Sequence, residues 1–255
     1  MTIVACFKWV IVDQDLRTDP LTHHIDFSRA RSEISPYDRN TIAAARILAD
    51  SVEADLVGIT VGDISANGLK EALGRGLDSA LTVSTPFALD GRGTSRVLAK
   101  AIGTVPDVDL VITGEGAADT YAHETAPRIA ELLGWPVVTN ARKLAVSDGI
   151  LTATRVLEDA IETVEVALPA VVSVIPEAAQ APIPGLKALM AGAKKPRTAL
   201  TLEGLNLHES DVEPIVHATR TRGFVTDRRR ILHEGTPEEA AASLVSALDQ
   251  EGLLS

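Results

Sequence analysis

Apolar positions along the chain fall into short runs rich in β-branched residues, separated by stretches with helical spacing. Ile3 to Val10, Leu56 to Val61, Ala80 to Val83, Leu110 to Thr113 and Val137 to Thr139 read as buried strands. Between them, the segment from Asp38 to Val52 places Ile42, Ala45, Ala49 and Val52 on one helical face. Ser35-Pro36 just before it supplies an N-cap and a residue pre-set for a first turn, and Asp38 completes a capping-box spacing. Further helices are predicted over Gly68 to Leu73, Thr94 to Ile102 and Thr125 to Leu133. This alternation predicts a doubly wound α/β fold, a mostly parallel sheet with helices on both faces.

The pattern then changes. Leu151 to Val156 and Thr163 to Leu168 read as strands joined by an acidic turn at Glu158 and Asp159, with Ala170 to Ile175 as a third. The alternation in Glu162-Thr163-Val164-Glu165-Val166 suits a strand with one wet face. A Pro-rich passage (Pro176, Pro182, Pro184) leads to a short helix over Leu186 to Met190 and the basic Lys194-Lys195-Pro196. Residues 197 to 235 show no sustained period and carry many charges, including Arg228-Arg229-Arg230. The final helix, Thr236 to Leu248, is well signalled: Thr236 caps, Pro237 opens, and Glu238-Glu239 favour the N-terminal dipole. The expected division is an α/β domain over 1–195 and a C-terminal arm with its helix over 196–255.

Composition narrows the function. Hydrophobic residues make up 45% of the 255 but aromatics only 3%, so the core is built from Ala, Val, Leu and Ile. The net charge of −11 argues against a nucleic-acid partner, which needs a basic stripe. A single cysteine excludes a disulfide framework, and no apolar run approaches the ~20 residues of a membrane helix. The opening MTIVACFKWV reads as a strand rather than a signal peptide, which gives the expectation of a soluble cytoplasmic protein without membrane insertion.

The most informative stretch for chemistry is Thr113-Gly114-Glu115-Gly116-Ala117-Ala118-Asp119-Thr120-Tyr121-Ala122-His123-Glu124-Thr125. It follows a buried strand, leads into a helix and is built largely of small and hydroxyl-bearing residues. Backbone N–H groups in such a loop, with the helix N-terminus behind it, can receive a phosphate. An ordinary surface turn explains the same residues, since Gly-x-Gly here is neither a Walker loop nor a dinucleotide fingerprint. Ser35-Pro36-Tyr37-Asp38 also opens a helix and is a second candidate, with a plain helix cap as the competing reading. No catalytic constellation is present: Cys6 sits inside the first strand as an inert buried thiol, and His23-His24 lacks metal-ligand spacing.

Taken together, these stretches resemble the beta subunit of electron transfer flavoproteins, in the branch typified by the bacterial Fix and carnitine-pathway proteins. The likeness runs from Ile3 to about Pro196. Its most specific piece is Arg155-Val-Leu-Glu158-Asp159-Ala-Ile-Glu162-Thr-Val164, followed after four residues by Pro169-Ala-Val171-Val172-Ser173. Ala160 departs from the Gly or acid usual there. Phe7-Lys8-Trp9-Val10, Ile34 to Asp38, Gly74-Arg75-Gly76-Leu77-Asp78 and Ile183-Pro184 to Lys195-Pro196 follow in the family's order.

The resemblance implies a Rossmann-like, adenine-nucleotide-binding domain whose arm embraces an alpha subunit, which holds the FAD that carries electrons. It implies a pocket for AMP, or a second FAD in electron-bifurcating members, made by Cys6, Ser35, Pro36, Tyr37, Asp38, Val61 and the loop Gly114 to Thr125. His123 and Glu124 replace the family's amides, and Ala126-Pro127 replaces the glycine after Thr125. Residues 181–195 match a recognition loop in which Ile183 would lead into a client flavin dehydrogenase. The chain would then be an electron carrier subunit rather than an enzyme, handing electrons to a downstream acceptor. The rival readings are a stand-alone adenine-nucleotide-binding sensor and an adenylating enzyme, the second lacking any Gly-rich motif near the first strand.

Overall fold

A computed structural model describes residues 1–226 and 228–254. In chain order the elements are β1 (Thr2–Cys6), β2 (Trp9–Ile11), β3 (Arg17–Thr18), β4 (Ile25–Asp26), β5 (Ser32–Ile34), α1 (Pro36–Ser51), β6 (Asp55–Val61), α2 (Ala66–Gly74), β7 (Ser79–Ser84), α3 (Gly91–Ile102), β8 (Val108–Gly114) and α4 (Thr125–Leu133). There follow β9 (Val137–Ser147), β10 (Ile150–Val156), β11 (Ile161–Ala167), β12 (Ala170–Val174), α5 (Leu186–Gly192), β13 (Arg197–Thr201), α6 (Glu209–Val212) and α7 (Pro237–Gln250).

The chain forms two compact units. The first comprises Met1–Leu16 and Phe27–Arg220, the second Arg17–Asp26 and Thr221–Ser255. The first holds a nine-stranded sheet of order β11-β10-β9-β12-β8-β1-β6-β7-β13. Pairing is parallel except in the hairpins β9–β10 and β10–β11. Alternation along the strands sorts the core into two layers. Ile3 and Ala5 of β1 join Ile42, Ala45, Leu48, Leu69 and Leu73 from α1 and α2 on one face. Val4 and Cys6 join Val97, Leu98, Ala126 and Ile129 from α3 and α4 on the other. The fold is therefore α/β with helices on both faces of a mostly parallel sheet, small hairpin sheets and a C-terminal helix, as the periodicity predicted.

Several boundaries differ from the sequence expectation. The run from Ile3 to Val10 is two strands, because the chain leaves the main sheet at Phe7 and Lys8; Trp9 to Ile11 then pairs with β5 instead. β9 runs to Ser147, where only Val137 to Thr139 had the continuous apolar signature. Arg197–Thr201, which lacks a sustained apolar period, pairs in parallel with β7 and forms the sheet's edge. The boundary expected at residue 195 thus falls just before a strand of the sheet, and the first unit continues to Arg220.

The second unit is lightly built. It contains the β3–β4 hairpin and α7; Thr236 caps the helix as its sequence predicted, and Glu239 returns the bond in a reciprocal box. None of the described α7 side chains is buried. Of the 196–255 segment, Asp227 and Ser255 lie outside the described residues.

Candidate functional site

The chain runs from β1 through α1 to β6 and β7 on one side, then returns through α3 to β8 on the other side of β1. Strand order therefore reverses between β1 and β8, and in open α/β sheets ligands bind in the crevice beyond the carboxyl ends of such a pair. Those ends are Cys6 and Gly114. The candidate residues on α1 and in the loop after β8 converge here.

Five contacts bind this corner together. The Ser35 N–H donates to the Lys8 carbonyl at 2.9 Å. Ser35 Oγ accepts the Ala118 N–H at 3.3 Å. The Lys8 ammonium lies 2.5 Å from the Asp119 carboxylate. Asp38 Oδ2 accepts the Lys8 N–H at 2.7 Å, and the same carboxylate takes the Gly114 N–H. The capping box expected of Ser35 and Asp38 is accordingly absent. Ser35 makes no side-chain cap bond to α1, because its hydroxyl and the Asp38 carboxylate are both turned to the neighbouring segments. α1 instead starts on the fixed φ of Pro36.

Burial raises the Asp38 carboxyl to about 7, with Asp119 adding to the rise while Lys8 and the backbone donors oppose it. Burial, with Asp38 nearby, likewise pushes the Cys6 thiol up to about 12, so it is a neutral packing group as expected. Val61, at the carboxyl end of β6, packs in the same apolar layer as Cys6 and Ala126.

The loop is stabilised from within. Tyr121 lies with its ring centroid 5.1 Å from Tyr37 and 4.2 Å from His123, and donates its hydroxyl to Glu115 at 2.6 Å. Gly116 passes beneath that ring; a Cβ there would lie 2.7 Å from Tyr121 Cδ2. Tyr121 and His123 both adopt left-handed backbone, at φ 45° and 55°. This is an uncommon conformation for such side chains, held here by the ring contacts. The chain then enters α4 at Thr125 with no side chain capping the helix. Pro127 lacks an N–H and occupies the first turn, where none is needed for the helix ladder. Glu124 pairs with Arg128 at 2.7 Å, and its carboxylate lies against Gly91 at the start of α3 so closely that a methyl on Gly91 would overlap it.

Lys8, Gly91 and Arg128 were not among the site residues expected from sequence. Lys8 carried the one available signal, a cation immediately after the first strand with acids in the facing loop. Ile183 lies elsewhere in the same unit, between β12 and α5, with 92% of its surface exposed. The neighbouring Pro182 carbonyl accepts a bond from Arg75 at 3.2 Å.

The electron transfer flavoprotein domain family matches residues 22–204, which include α1, the Gly114 to Thr125 loop and the Arg155 to Ser173 segment. The chain belongs to this family. Electron transfer flavoproteins are flavin-associated electron carriers, and that much of the sequence reading stands. Among the described residues no helix is long and apolar enough to cross a membrane.

What the crevice offers a cofactor's phosphate is backbone at a helix start. The first turn of α4 is uncapped by any side chain, the loop before it is small and rich in backbone donors, and Thr125 places a hydroxyl at the helix start. The nearby cations Lys8 and Arg128 are already paired with Asp119 and Glu124, so the backbone is what the site has to offer a phosphate.

Proposed function

We propose that this chain is the beta subunit of a heterodimeric electron transfer flavoprotein, carrying electrons from flavin dehydrogenases to a downstream acceptor. The observation that carries the heterodimer is the second unit. Phe224, Ile231, Leu232 and Leu253 are exposed there, and a capped fourteen-residue helix buries none of its described side chains. So much apolar surface with so little core of its own calls for a partner, and an alpha subunit bearing FAD is the partner this family supplies.

FAD supplies the redox chemistry, accepting and releasing electrons. The role of this chain is to bind and orient. Cys6 and Val61 line the floor of the crevice, Ser35 to Asp38 fix one wall, and the Gly114 to Thr125 loop receives the phosphate of a nucleotide held within this subunit. That nucleotide is AMP in the ordinary carrier and a second FAD in the bifurcating form. Ile183, set between Pro182 and Pro184, is the side chain offered to the client dehydrogenase; flanking prolines reduce the ordering cost of docking.

The test is to co-express the chain with an alpha-type subunit, purify the complex, and quantify FAD and AMP after denaturation. One FAD with one AMP per heterodimer is the expected result. Two FAD and no AMP would assign the bifurcating form, and no flavin-bearing complex would overturn the subunit reading in favour of a stand-alone nucleotide-binding protein.

A further inference from the structure

Asp38 is the only acidic side chain buried among the described residues, and nothing in the electron-carrying role requires a buried carboxylate. Its Oδ2 takes the Lys8 N–H, its carboxylate takes the Gly114 N–H, and a Cβ built on Gly114 would come within 2.8 Å of Oδ1. One carboxylate thus joins the chain just beyond β1 to the last residue of β8, across the point where strand order reverses. The charged groups that face it are few. From the β1–β2 corner comes Lys8, whose ammonium is committed to Asp119; from the loop comes Asp119 itself; and β1 presents the Cys6 thiol. β8 offers an amide, and α1 adds the Thr41 hydroxyl beside Gly114.

We propose that Asp38 is a positioning residue rather than a ligand contact, a staple that sets where the Gly114 to Thr125 loop leaves the sheet. As a carboxylate it accepts two charge-assisted bonds from backbone amides, the stronger kind. As a neutral acid it must commit one oxygen to O–H, which weakens its hold on at least one of them. The exchange falls at about 7 because burial penalises the carboxylate more than the two amides repay it, so both amide bonds change together near neutrality. That the positioned loop cradles a nucleotide rests on the function proposed above; the staple itself does not.

The test follows amide resonances in the isotope-labelled full-length chain from pH 5 to pH 9, without added nucleotide. The expected result is that the Lys8 and Gly114 amide protons shift together with one midpoint near 7, and that Asp38→Asn abolishes the shared transition. Absence of a common midpoint in the wild type, or its survival in Asp38→Asn, would overturn the proposal. Should the Asn variant fail to fold, Asp119→Asn decides. It removes a repelling carboxylate and releases the Lys8 ammonium, so the midpoint must fall; an unchanged or raised midpoint sinks the idea. A shared transition in a chain that binds no nucleotide would leave the staple standing and remove only the nucleotide assignment.

Discussion

Lys8 meets two acids: its ammonium reaches the Asp119 carboxylate at 2.5 Å while its backbone N–H donates to Asp38 at 2.7 Å. A single residue just past the first strand therefore links the loop after β8 to the first turn of α1.

Replacing Lys8 by Met keeps the backbone bond and removes the ion pair. Both partners are substantially exposed, so global stability should change by under about 1 kcal/mol. The local effect is larger: amides from Gly116 to His123 should exchange with solvent faster, as hydrogen exchange read by mass spectrometry would reveal. Unchanged exchange there would mean that Ser35 and Asp38 hold the loop without help.

Gly116→Ala drives a methyl against the Tyr121 ring, and the Tyr37–Tyr121–His123 contacts must open to admit it. Overpacking of this kind costs about 1–3 kcal/mol when neighbours cannot yield. Tyr121 is 46% exposed and can swing outward, so the loss should lie at the low end, with Tyr121 ring resonances shifting toward free-tyrosine values.

The Asp38 carboxyl titrates at about 7 in the folded chain against an ordinary value of 3.8. Between those values the native state holds a proton that the unfolded state has released. The stability contributed by this group is fully present below the lower value and is lost as pH rises through the upper one. Urea unfolding of wild type and Asp38→Asn should therefore diverge between pH 4 and pH 7, the wild type losing up to a few kcal/mol more than the variant over that range. Comparing the two cancels other acids such as Asp15, which Arg31 holds at about 2 and whose pH effect has the opposite sign. Parallel curves would show that Asp38 titrates normally.

Cys6 should resist alkylation by iodoacetamide in the native protein at pH 8 and react fully in urea, because it is both buried and protonated. Rapid native labelling would place it in an open crevice rather than a closed floor.

Glu124→Gln removes a negative charge beside the α4 N-terminus and frees Arg128 from its ion pair. If the loop receives a phosphate, AMP affinity measured by calorimetry should rise several-fold, with a steeper salt dependence. Equal or weaker binding by the variant would place the phosphate elsewhere.

Much of this architecture was legible in the sequence because strands buried on both faces and helices with a continuous apolar stripe carry strong periodic signals. α4 began at Thr125 as its pattern indicated, and Thr236 capped α7. The site was legible only as two separate loops. Ser35 and Asp38 have the residue types and spacing of a capping box, and local spacing cannot reveal that the Ala118 and Gly114 amides lie closer to them than their own helix. β13 was missed for a related reason. An edge strand covered on one side needs no continuous apolar run, and within it only Leu200 is as much as half-buried.

The position of β13 has a consequence for how the chain is made. Synthesis runs from β1 outward, yet the strand that borders β7 is the last of the nine to leave the ribosome. Until Thr201 has emerged, β7 presents a row of unpaired amides and carbonyls, the kind of edge that recruits foreign strands. A chain cut at Lys195 would keep that open border permanently and should aggregate, whereas one ending after α6 would close it. Residues beyond α5 thus guard the sheet during its assembly.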